Sequence, residues 1–151
     1  VGGLDAFVWN DWDLAEQEVA DHFRALQGRY AIDENRVVLG GFSMGAGAAT
    51  WLALKGTPKA RGFVAVAPYI PEEHDVASLL TGQEAQNTRG YVIIGDKDEG
   101  CYPISHTLTK TLRENGNQVE LCEYADLYHR YPADFDRVLP RALDYVVGAE
   151  A

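Results

Sequence analysis

The chain has 151 residues, a net charge of −10 and 46% apolar residues, which fits one domain with a packed core and excludes a disordered chain or a disulfide-stapled miniprotein. The acidic balance disfavours nucleic acid and anionic membrane surfaces as main partners. The longest apolar run, residues 62–67, is far too short to span a bilayer.

The predicted elements alternate along the chain. Leu14 to Tyr30 places Leu14, Val19, Phe23 and Leu26 at near-helical spacing, with acidic residues early and Arg24 and Arg29 late. This predicts an amphipathic helix capped by Asp11 or Asp13. Arg36 to Phe42 is a short β-branched apolar run, hence a buried strand. Met44 to Lys55 is small and apolar, which suits a helix packed closely on a sheet. Gly62 to Ala67 is a second buried strand, ended by Pro68. A polar connection over 72–88 holds one expected helical turn near Val76 to Leu80. Gly90 to Ile94 is a third strand, closed by Gly95. Pro103 to Asn115 reads as a helix stopped by Gly116. Gln118 to Tyr124 alternates polar and apolar residues, as a strand nearer the sheet edge does. Asp134 to Val147 reads as a final helix. Pro140 either marks its start near Leu139 or kinks it.

Strand–helix alternation of this kind implies right-handed crossovers and a parallel sheet with helices on both faces. Chemistry in such α/β sheets gathers at the carboxyl ends of the strands. The first strand ends at Gly41-Phe42-Ser43-Met44-Gly45, a G-x-S-x-G pentapeptide between a strand and a helix. Such a turn lifts the Ser43 hydroxyl above the sheet, and glycines flank it because side chains there would collide with strand and helix. The Met44 N–H then opens a helix and can donate to a developing oxyanion. A serine nucleophile needs a base, and the base needs an orienting acid. His22 and His106 fall on predicted helices and His74 in the polar connection. Only His129 follows a strand end after the candidate acids Asp96, Asp98 and Glu99.

From the elbow onward the chain resembles the α/β-hydrolase superfamily, and more narrowly the phospholipase/carboxylesterase group and its dienelactone-hydrolase-like relatives. The matching stretches are Asn35 to Ala46, Gly62 to Pro71, Gly95-Asp96-Lys97-Asp98, and His129-Arg130-Tyr131-Pro132. The resemblance places the acid on Asp98, the last residue of a G-x-x-D turn, and leaves Asp96 as a turn residue. It implies a serine hydrolase that cleaves a small-molecule carboxylic ester through Ser43, His129 and Asp98, with no cofactor or metal. Thioesterase, dienelactone hydrolase-like and prolyl-oligopeptidase-like activities, and a catalytically silent binding module, are the alternatives. The sequence departs from the family pattern at Ile94-Gly95, at Cys101-Tyr102-Pro103 and at Tyr128 before His129.

Phe7, Trp9 and Trp12 read as core residues, with an apolar acyl pocket as the alternative. Cys101 and Cys122 are too few for a disulfide framework and read as reduced thiols of a cytoplasmic protein. Association into a homo-oligomer is left open. The only Met is Met44. The resemblance implies that the four strands are the later half of the hydrolase sheet. Residues 1–151 are therefore expected to be the C-terminal portion of a longer domain, with Val1 an internal point. The second oxyanion donor and the earlier strands are expected outside the chain. Alone, it should expose an apolar sheet edge and be poorly active.

Overall fold

The computed structural model describes residues 11–148. Helix α1 spans Trp12–Gln27, and the Asp11 carboxylate accepts the Leu14 N–H at its start. That bond satisfies one of the donors a helix leaves open, so Asp11 and not Asp13 is the cap. Strand β1 spans Val38–Phe42, after a single 3-10 turn over Glu34–Arg36. Helix α2 covers Met44–Lys55 and strand β2 Gly62–Val66. A 3-10 turn at Val76–Leu79 falls where the sequence predicts one, and a short helix α3, Gln83–Asn87, follows it. Strand β3 spans Arg89–Gly95, helix α4 Cys101–Glu114, strand β4 Val119–Tyr124 and helix α5 Phe135–Val147.

Among the described residues the strands form one parallel sheet in the order β1-β2-β3-β4. Sequential parallel strands with crossovers of one hand place the intervening helices on one face. Accordingly α2, α3 and α4 share a core with Phe63, Ala65, Val92 and Val119. The opposite face is covered by α5, where Val138, Ala142 and Val146 meet Val64, Val66, Tyr91 and Ile93. Every residue of β2 is buried, because each of its faces carries a helix layer.

Three local expectations are corrected. Strand β1, expected to be buried, is only half-buried with Gly40 exposed, because it forms one edge of the sheet among the described residues. Leu14 and Leu26, assigned to the apolar face of α1, are 43% and 47% exposed, while Trp12 and Ala15 are buried. This helix packs on α2 through its first turns, with Trp12 against Trp51 and Glu16 paired to Lys55. Pro140 does not mark the start of α5, which begins at Phe135 and contains the proline. The missing N–H leaves the Asp136 carbonyl without its helical donor. Both residues lie on the exposed side, where water can serve that carbonyl. Phe7 and Trp9 lie outside the described residues. No helix among the described residues is long and apolar enough to cross a membrane.

Candidate active site

Ser43 sits between β1 and α2 with φ 55° and ψ −123°. This is a strained conformation for a residue with a side chain, and it persists because the neighbours over-determine it. The Ser43 N–H donates to the Val66 carbonyl on β2, and the Ser43 carbonyl accepts from Ala46, Gly47 and Tyr69. Gly41 is required here by space alone. A Cβ at that position would stand 2.4 Å from the carbonyl carbon and oxygen of Gly45. Gly41→Ala is therefore expected to lower stability by about 3 kcal/mol or more, measured by denaturant unfolding. An unchanged midpoint would show that the elbow relaxes freely. The Met44 N–H belongs to the first turn of α2, whose donors find no acceptor within the helix.

Asp98 follows β3 and is 5% exposed. One carboxylate oxygen accepts the Cys101 N–H at 3.1 Å, so the first turn of α4 holds it in place. The other oxygen lies 2.6 Å from His129 Nδ1. The opposite ring nitrogen, Nε2, lies 2.9 Å from Ser43 Oγ. The structure thus brings Ser43, His129 and Asp98 into one hydrogen-bonded line, drawn from the ends of β1, β3 and the loop after β4. With Nδ1–H donating to the carboxylate, Nε2 is left as an acceptor aimed at the serine hydroxyl. His129 itself is exposed, and the ring of Phe42 supports one side of it at a centroid separation of 4.8 Å.

The loops carrying Asp98 and His129 are tied to each other. The Asp96 carboxylate accepts the Asp126 N–H at 2.8 Å, and the Lys97 N–H donates to the Leu127 carbonyl. Gly95 permits this crossing, because a Cβ there would fall 2.0 Å from the Leu127 carbonyl oxygen. Asp96, at first sight a rival acid, is a strap between the two loops. Its signal was present in the sequence only as a turn-type aspartate.

Sequence reasoning missed the surroundings of Cys101. Its sulfur lies 3.8 Å from His129 Nδ1, and the residue is buried. Burial, then the negative Asp98 beside it, push the thiol up to about 12. At pH 8 its thiolate fraction falls roughly a thousandfold below that of an unperturbed cysteine. Alkylation of Cys101 by iodoacetamide should therefore be far slower in the folded protein than in urea. Equal rates, read by peptide mass spectrometry, would show that the thiol is neither buried nor held neutral.

A cavity of about 480 Å³ opens between the stretch after β2 and the first turns of α4, lined by Ile70, Pro71, Val76, Pro103, Ile104 and Leu108. Its wall is joined to the elbow through the Tyr69 N–H bond to Ser43. Trp12 does not line this cavity. It stacks on His74 at a centroid distance of 3.8 Å, and His74 forms part of the cavity wall.

A family model described as Phospholipase/Carboxylesterase matches residues 12–144. Among solved structures, an uncharacterized protein from Bacillus cereus ATCC 10987 is 31% identical with a TM-score of 0.84, over 97% of this chain and 47% of that one. Arabidopsis thaliana SOBER1 shares the fold at 17% identity and TM-score 0.73, over 90% of this chain and 64% of its own. Zea mays acyl-protein thioesterase 2 does so at 21% identity and TM-score 0.70, over 91% of this chain and 65% of its own. The chain spans about half the length of the first and less than two thirds of the other two. No similar sequence was found among curated proteins.

Proposed function

Because the chain belongs to the phospholipase/carboxylesterase family of α/β hydrolases, we propose that it provides the nucleophile, base and acid of a serine hydrolase acting on carboxylic esters. The observation that supports this reading most is the continuous line from Ser43 Oγ through His129 to Asp98. In this mechanism Ser43 attacks the ester carbonyl while His129 Nε2 takes its proton. Asp98 keeps the ring in the tautomer that makes Nε2 a base and stabilises the cation that forms. The Met44 N–H, helped by the α2 dipole, donates to the tetrahedral oxyanion. The alcohol leaves with the proton from His129. Water then attacks the acyl-enzyme, His129 again serving as base. In this reading a second oxyanion donor comes from a loop outside residues 11–148, and no cofactor enters any step.

The cavity between the stretch after β2 and α4 is of a size that holds a small acyl group, and its walls are mostly apolar. We assign it to the acyl part of the substrate. A panel of p-nitrophenyl esters of rising chain length, assayed on the protein beside a thioester and a peptide anilide, tests the proposal. Faster turnover of the esters is expected, and Ile104→Trp should shift the preference toward shorter chains. A thioester preferred over its oxygen ester would favour the thioesterase reading. Faster cleavage of the anilide would overturn the esterase assignment.

A further inference from the structure

Among the described residues, Cys101 is a side chain at the proposed catalytic line for which the reaction has no use. One ligand atom from each of Asp98, Cys101 and His129 lies within 4.8 Å of the other two. A carboxylate, a thiolate and an imidazole are three of the ligand types zinc takes, and three protein ligands leave a fourth position for water. Tetrahedral bonds of about 2.3 Å to sulfur and about 2.0 Å to nitrogen and oxygen place sulfur about 3.5 Å from nitrogen, and nitrogen about 3.3 Å from oxygen. The sulfur and Nδ1 already stand 3.8 Å apart. Nδ1 and the Asp98 oxygen, at 2.6 Å, would have to separate by about 0.7 Å to meet those bond lengths. His129 can supply that movement, since its side chain is 43% exposed against 5% for Asp98.

We propose that Asp98, Cys101 and His129 form an inhibitory site for a soft divalent cation such as Zn²⁺ or Cd²⁺. The inhibitory role rests on the reading of His129 as general base. When the cation binds, the thiol proton of Cys101 leaves to solvent and the sulfur becomes a thiolate ligand. The cation takes the lone pair of Nδ1, and the ring proton passes from Nδ1 to Nε2. Nε2 then presents an N–H to Ser43 in place of a lone pair. It can no longer accept the hydroxyl proton, and the cation also draws the carboxylate away from its orienting role. Metal occupancy and catalysis are mutually exclusive because both need Nδ1. The buried, protonated thiol is a poor nucleophile on its own, which leaves the metal-free site free to work.

The test uses Cd²⁺ alone and Zn²⁺ alone. Cadmium–thiolate charge transfer gives an ultraviolet absorbance band that reports sulfur ligation without any substrate. The band is expected in the wild-type protein and in Cys122→Ala, and is expected to vanish in Cys101→Ala. Zn²⁺ should inhibit ester hydrolysis and a chelator should restore it. Relative to its own metal-free rate, Cys101→Ala should need at least roughly tenfold more Zn²⁺ for half inhibition. Absence of the band in Cys122→Ala overturns the site, whether or not Cys101→Ala folds. Equal zinc sensitivity of wild type and Cys101→Ala overturns it as well. A band that forms without loss of hydrolysis overturns the inhibitory role. A full-length protein inactive on esters before any metal is added counts against the esterase reading instead, and the cadmium titration still decides whether the site exists.

Discussion

Ser43→Ala is expected to lower kcat on an aryl ester by roughly 10⁶-fold, the loss seen when a serine nucleophile is removed from a hydrolase that uses it. In the proposed mechanism the hydroxyl is the atom that becomes acylated, and no other side chain among the described residues stands in hydrogen-bond reach of His129 Nε2. The substitution removes one oxygen from a half-buried position. Its cost in stability should stay within about 1 kcal/mol, and relief of the strained φ by the smaller residue is not expected, since Ala also carries a Cβ. A steady-state assay with thermal unfolding beside it separates the two effects. A loss of activity below tenfold in a folded variant would remove Ser43 from the chemistry.

The second large effect is expected at Asp98. Asp98→Asn should lower turnover by roughly 10⁴-fold with the fold retained. The amide oxygen can still accept the Cys101 N–H, so the start of α4 keeps its partner. The amide nitrogen then faces His129 Nδ1, where an oxygen stood before. Two donors cannot share that contact, so the ring takes the tautomer with its proton on Nε2 and loses its basicity toward Ser43. Asp96→Asn provides the contrast. Its amide oxygen can still accept the Asp126 N–H, and the only charge pairing it loses is an exposed contact with Lys97 at 3.7 Å. Such pairs contribute about 0–1 kcal/mol, so the change in kcat should be within roughly fivefold. A mild Asp98→Asn beside a severe Asp96→Asn would reverse the roles of the two aspartates.

The positions that the proposed chemistry needs are the ones most legible in the sequence. Gly41-Phe42-Ser43-Met44-Gly45 announces itself because a strained turn between a strand and a helix admits few residue types. His129 is found by place, as the histidine that follows the last strand end. Asp98 needed the family resemblance, because Asp96 satisfies the same local turn rules. The central strands β2 and β3 were legible from apolar runs buried on both sides, and β4 from its alternation, with boundaries displaced by a residue or two. The apolar run of β1 announced a strand but not that it would be only half-buried at the sheet's edge.

Contacts that cross between loops were not legible. Nothing in the spacing of Cys101 and His129 says that their side chains meet. The strap from Asp96 to Asp126 likewise depends on how two strand ends lie side by side. Helix α3 is five residues long and carries no full apolar period to detect. The apolar positions of α1 follow a helical repeat, yet spacing alone does not say which of them will be covered. Burial there is decided by Trp12, which packs beside Trp51 and His74.

The most direct measurement is covalent. A fluorophosphonate probe reacts with a serine only where a base and an oxyanion site activate it. Incubated with the probe and digested, the protein is expected to carry a single adduct, on the peptide containing Ser43. His129→Ala should label far more slowly, and Ser43→Ala not at all. A folded protein that hydrolyses esters while Ser43 stays unlabelled would contradict the proposed mechanism at its centre.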